Sequence, residues 1–245
     1  MLPVKPLVTK GKRILLVAIV SCFCSFSVAP GYPPPDPVNE DYPAAVSGLN
    51  LPQRLACFNP LLPDAGYAVS LCADLPDNDR PDKVYVKKET GHVFLILRKN
   101  MPGDSGQTIS QVFGFYPRRP VSSLVFKNVR CEILDNGKRE YNAVVTKELT
   151  AEEFGIVVQK AQELTAKKYN INKYNCYDYA LDVFNSLPGI EKIPVRHVKF
   201  PLIFGRGGSP CGLYRDLEKL KANGSAWAPY IQFGVFKAPA SYKVN

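Results

Sequence analysis

The chain predicts an α+β fold, a mostly antiparallel sheet packed against a helix that opens with a cysteine. Three observations carry this. Strand-like runs cluster before residue 146, helix-period runs follow at 150–168 and 176–187, and the strand runs are joined by turn-rich links rather than helices. With 245 residues, 46% hydrophobic and 22% charged, there is enough apolar material for one full core once the ends are set aside.

Met1 to Arg13 carries Lys5, Lys10, Lys12 and Arg13, and the apolar run Ile14 to Val20 follows. That order predicts an export signal over residues 1–29. The run is shorter than the roughly 20 apolar residues of a membrane span. Ile19-Val20-Ser21-Cys22 resembles a lipobox, in which Cys22 is acylated and tethers the protein to a membrane. Ser27-Val28-Ala29 resembles an ordinary cleavage site, disfavoured by Pro30 directly after it. Either ending predicts an exported protein of a bacterial periplasm or cell envelope. Residues 30–50 are proline-rich and read as a tether, and 51–245 as the domain.

Within the domain, 51–75 is mixed and 74–82 turn-rich. Lys83 to Lys88 is a short strand, Gly91 to Leu97 a second, and Thr108 to Tyr116 its return strand, ended by Pro117 and Pro120. Leu124 to Ile133 is another strand, and Asp135-Asn136-Gly137-Lys138 is a hairpin turn into Tyr141 to Val145. Thr150, with Glu153 three residues on, makes a capping box for a helix to about Lys168, whose Phe154, Val157, Val158, Ala161 and Leu164 share a face. The second helix starts at about Cys176, turns Ala180, Leu181, Val183 and Phe184 inward, and stops at Pro188-Gly189. Residues 204–210 are Gly-rich, Leu213 to Ala222 is a short helix, and Ala226 to Lys237 is aromatic-rich and irregular.

The formal charge is +9, and four of the basic residues lie in Met1 to Arg13. The remainder are scattered in pairs such as Lys87-Lys88 and Arg118-Arg119, without a basic stripe interleaved with aromatics. Nucleic acid is therefore not an expected partner. Two histidines, without Cys-x-x-Cys or His-x-x-x-His, imply neither a metal nor another cofactor. There is no Gly-x-Ser-x-Gly elbow for a serine hydrolase.

If export removes or acylates Cys22 and Cys24, five cysteines remain: Cys57, Cys72, Cys131, Cys176 and Cys211. Five cannot pair completely in an oxidising compartment. Cys57 with Cys72 would close a loop worth about 3 kcal/mol, and Cys131 with Cys211 is the second pairing considered. Cys176 is then the odd thiol. All five reduced and buried is the alternative.

Cys176 on the first turn of a helix sits at the positive end of the helix dipole, with its own N–H free for an oxyanion. Together with an imidazole this is the setting of a thiolate nucleophile. His92, after a glycine at a strand start, is the candidate base if its strand packs against that helix. Folding Gly91–Leu97 back on Thr108–Tyr116 sets His92 roughly opposite Phe113, which makes Gln111 the orienting candidate; a one-residue slip substitutes Ser110. Asn175 and Tyr174 flank the nucleophile as oxyanion or substrate-binding candidates. His197, in a basic loop between Pro194 and Pro201, is the fallback base.

Gly91-His92 before an apolar strand, then Gly114-Phe115-Tyr116-Pro117, then Tyr174-Asn175-Cys176 with Asp178-Tyr179-Ala180, resembles the circularly permuted NlpC-type papain-like superfamily. That group includes the lecithin:retinol acyltransferase-like proteins, and the resemblance is to its exported bacterial branch, over about Val84 to Leu187. It implies a permuted papain-like fold, Cys176 as nucleophile and His92 as base, and leaves the third residue open. Such families hold amidases and peptidases of cell-wall peptides as well as enzymes that move lipid acyl groups. The expectation is an exported cysteine hydrolase whose substrate is a peptide or peptidoglycan. The alternatives are a lipid acyl hydrolase or acyltransferase, and an inert envelope binding protein that uses the aromatic stretch Trp227 to Phe236.

Overall fold

The computed structural model describes residues 48–86, 89–103, 106–118, 128–189, 191–200 and 205–244. The expected export signal with Cys22 and Cys24, most of the expected tether, and residues 87–88 and 124–127 of two expected strands lie outside them. No helix of the described residues is long and apolar enough to cross a membrane.

The strands are β1 (Gly66–Asp74), β2 (His92–Asn100), β3 (Thr108–Pro117), β4 (Cys131–Asp135), β5 (Glu140–Leu149), β6 (His197–Lys199), β7 (Arg206–Gly208) and β8 (Ile231–Lys237). The helices are α1 (Leu51–Leu55), α2 (Ala151–Glu163), α3 (Cys176–Phe184) and α4 (Pro210–Ala222). Six strands form one sheet in the order β4-β3-β2-β1-β5-β8, antiparallel throughout, and β6 and β7 pair separately. The α+β class stands.

β1 is the element the amino-acid pattern conceals. It lies between β2 and β5 and is buried on both faces, so Tyr67-Ala68-Val69-Ser70-Leu71-Cys72-Ala73 shows no polar alternation. Small Ala, Ser and Cys side chains also weaken its strand signal. β8, expected to be irregular, is the strand beyond β5. The strand expected at Lys83 to Lys88 is reduced, among its described residues, to one bridge from Val86 to Glu89.

The turn after β4 forms as expected: Gly137 N–H donates to Asp135 Oδ1 (2.7 Å), and Lys138 takes a φ of 68°. It does not make a hairpin, however, because β3, β2 and β1 lie between the two strands it joins. A flat sheet would separate β4 from β5 by about 19 Å, while the five Cα steps from Asp135 to Glu140 span at most about 18 Å when extended. The sheet must curl, and the link Asn136–Arg139 passes over one of its faces.

Successive residues of a strand point to opposite faces, so β2 feeds two cores. Val93, Leu95 and Leu97 enter the larger one with Phe113, Phe115, Phe154 of α2 and Leu181 of α3. Phe94 and Ile96 enter a smaller one with Cys72, Val112, Val144 and Ala238. The segment from Ala238 straps this second face: Ala238 N–H donates to Arg139 O and Tyr242 N–H to Ser110 O (both 2.8 Å), and Ser241 Oγ bonds Asp135 Oδ1 (2.7 Å).

The caps follow the sequence. Thr150 and Glu153 form the reciprocal capping box of α2. α4 starts at Pro210, earlier than expected, because Ser209 caps it and proline suits the first helical position. The five described cysteines are all free thiols. Cys72 is buried in the smaller core while Cys57 packs against the larger one, so that pairing fails. Cys131 and Cys211 donate instead to Thr165 O and Lys83 O. With no disulfides among the five, the odd-thiol argument for Cys176 falls away.

Candidate functional site

Cys176 is the first residue of α3, and the local sequence makes it so. Asn175 caps the helix: its Oδ1 accepts Tyr177 N–H (2.9 Å), and its own N–H donates to Asp178 Oδ2 (2.9 Å). The same side chain ties the helix start to its surroundings through Nδ2, which donates to Ile171 O (2.9 Å) and Gly208 O (3.0 Å). Asn175 is thus engaged on every side. Expected as an oxyanion or substrate-binding residue, it serves in this structure as the cap of α3.

The Cys176 thiol is pushed up to about 11, chiefly by burial, with Asp178 adding to the shift. Backbone N–H groups of Val93 and Tyr177 and the Arg139 guanidinium pull the other way without prevailing. Desolvation therefore outweighs the helix N-terminus here, and the resting sulfur is a thiol rather than the thiolate expected.

His92 follows Gly91, whose φ of 70° turns the chain tightly against β1; a Cβ there would stand 2.2 Å from Asp74 O. The β2–β3 ladder pairs Leu95 with Phe113 and Leu97 with Gln111. Carried on to the end of β2, that register sets Tyr116 across from His92, and the two rings stack at 4.1 Å. The imidazole is 4% exposed, lies on the Phe94 side of β2, and presses Nε2 over Gly114, where a Cβ would be 2.2 Å away. Nε2 makes no hydrogen bond, to Cys176 or to anything else. Burial holds the ring well below its ordinary range, and Arg139 depresses it further, so it is neutral.

The expected apposition is therefore met in part. α3 packs on the Val93 side of β2, and what meets the sulfur is the Val93 peptide, one residue from His92. Gln111 is not the neighbour of His92. Its Nε2 donates to Cys57 Sγ (3.3 Å) and to Tyr242 O (2.9 Å), so it anchors the C-terminal strap. Ser110, opposite Arg98, lies farther still from the start of β2. Tyr174 is half-buried, edge-on to Phe115 (5.7 Å) and beneath the Lys167 ammonium (3.9 Å). Trp227 is 3% exposed and tilted against Phe184 (5.3 Å), so the aromatic stretch contributes its largest ring to the core.

His197, read as a loop residue, stands on β6 with Nε2 3.1 Å from Asp178 Oδ1. Asp178 so spans the helix cap and the second histidine; burial raises its carboxyl against the help of Asn175 N–H and His197.

Four residues around His92 were not singled out as site residues. Arg139 reaches Asp74 Oδ2 through Nε (2.7 Å) and Nη2 (2.6 Å), and Tyr116 OH through Nη1 (3.4 Å). Asn136 Nδ2 donates to the same hydroxyl (2.6 Å). Tyr116 was visible only as part of a motif, Asn136 as a turn residue and Asp74 as the start of a turn-rich stretch, while Arg139 carried no signal of its own. No local signal reveals that their link crosses the sheet onto the histidine. Among the described residues no group of three His, Cys, Asp or Glu side chains could hold a metal ion. A surface cavity of about 660 Å³ beside Arg118, Cys131 and Glu132 includes neither Cys176 nor His92 in its lining. No family model matches the chain, nor does any curated protein or solved structure.

Proposed function

We propose that the protein is an exported thiol hydrolase, an amidase or peptidase acting on cell-wall peptide bonds, with Cys176 as nucleophile and His92 as general base. One observation carries this reading: the helix end that bears Cys176 is docked on the first peptide of the strand that opens with His92. Both groups are neutral at rest, so the proton leaves sulfur as the S–C bond forms, passing to His92 directly or through one water. The Cys176 N–H, which as a first-turn donor has no acceptor within the helix, stabilises the oxyanion. The imidazolium then protonates the departing amine. Water attacks the thioester, giving its proton to His92, and the acid and free thiol are released. The same nucleophile suits a lipid acyl ester, and substrate class rests on compartment and family likeness.

A second reading has its own support. His197, about one-third exposed and backed by Asp178, is a base already paired with an orienting carboxylate. Purified peptidoglycan and a lipid ester, offered to wild type, Cys176→Ala, His92→Gln and His197→Gln, test both readings. Loss of hydrolysis in the first two variants alone is expected. Equal activity of wild type and Cys176→Ala would sink the hydrolase, and loss in His197→Gln with retention in His92→Gln would transfer the base to His197.

A further inference from the structure

His92 Nε2 and Asn136 Oδ1 are both buried without a hydrogen-bond partner. His92 is 4% and Asn136 5% exposed, and unmet polar atoms at such depth are rare. The two orphans flank the same point. A Cβ on Gly114 would stand 2.2 Å from Nε2 and 2.5 Å from Oδ1, so the atoms are no farther apart than the sum of those distances. Only a glycine leaves that space free.

The surroundings hold both groups in place. Asn136 N–H donates to Val112 O (3.0 Å), its carbonyl accepts Arg139 N–H (3.1 Å), and its Nδ2 is spent on Tyr116 OH. What it turns toward the ring is therefore an acceptor. Tyr116 stacks on the imidazole and receives that same amide, so one side chain registers the other two.

We propose that Asn136 is the positioning residue of His92: the two atoms are unbonded in this structure, and a small closure over Gly114 lets Oδ1 accept the Nε2–H, fixing that tautomer and leaving Nδ1 as the basic nitrogen. A neutral imidazole has one N–H and one lone pair, so a partner for the first selects the position of the second. Burial, with Arg139 adding to it, keeps the protonated ring unfavourable, so the acceptor meets a neutral donor. The catalytic part of this assignment rests on His92 being the base; the tautomer does not.

The chain has two histidines, so ¹⁵N-histidine labelling of the His197→Gln protein isolates His92. Long-range ¹H–¹⁵N spectra should show a single Nε2–H tautomer. Adding Asn136→Ala should give a mixture of tautomers, and Asn136→Asp should restore Nε2–H while raising the apparent ring pKa. An Nδ1–H tautomer in the parent, or an unchanged tautomer in Asn136→Ala, overturns the proposal; the parent measurement stands even where a variant fails to fold. In the otherwise wild-type chain, Asn136→Ala should lower kcat about tenfold or more at constant KM. A tautomer shift with hydrolysis unaffected would uphold Asn136 as the positioning residue and overturn His92 as the base.

Discussion

The two histidines occupy opposite environments. His92 is 4% exposed, covered by Tyr116, with a guanidinium as its charged neighbour. His197 is 36% exposed and faces a carboxylate at 3.1 Å. Burial keeps the first ring neutral and makes its protonation costly, whereas the second lies partly in solvent within hydrogen-bond reach of Asp178. An imidazole that serves as a base needs both shelter and an orienting partner, and here deep burial and a carboxylate contact are divided between two rings near one helix end.

The largest effect that would sharpen this contrast comes from filling the space over Gly114. Gly114→Ala drives a methyl into the His92 ring and should destabilise the protein by about 1–3 kcal/mol in denaturant titrations. Stability unchanged within error would show that the ring is not confined.

Titration probes the buried ring next. Below the ordinary histidine value of 6.5 the unfolded chain gains a proton that native His92 refuses. Stability is therefore full above pH 6.5 and falls as pH drops, by up to about 1.4 kcal/mol per unit from this group, until the depressed native value is reached. His92→Gln should flatten that acid limb, and a limb that persists unchanged would break the contrast. Cys176 acts at the other end. Between 9.0 and about 11 the unfolded thiol ionises and the native one does not, so stability falls as pH rises. Cys176→Ala should reduce that alkaline fall, and a thiol-reactive probe should label Cys176 faster toward pH 11.

At the second histidine the effects are smaller. Asp178→Ala removes the acceptor of Asn175 N–H and the partner of His197, and should cost about 1 kcal/mol by thermal unfolding. His197→Gln loses only a partly solvated pair and should cost less than about 1 kcal/mol. A larger loss there would make His197, not His92, the more deeply engaged ring.

Cues within a few residues of one another were readable in advance. The Thr150–Glu153 box, the start of α3 at Cys176 and its end before Pro188-Gly189, and the strand after Gly91 all rest on such neighbours. Gln111 was misassigned because register is set by pairing across strands, and three further residues along β3 bring Gly114 rather than Gln111 to the ring. β1 stayed hidden because a strand buried on both faces has no polar period to read. The disulfides failed because proximity in sequence did not keep Cys57 and Cys72 in the same core.

The amino-acid order by itself determined the α+β class, the caps and turns, and the placing of a cysteine at a helix start and a histidine at a strand start. Only the tertiary structure decided how these met. The curl of the sheet carries Asn136 and Arg139 over β2 and onto His92, β2 turns His92 and Val93 to opposite faces, and burial overrides the helix end at Cys176. Capping and periodicity are interactions among near neighbours, whereas curl, register and desolvation are sums over residues that lie far apart in the chain.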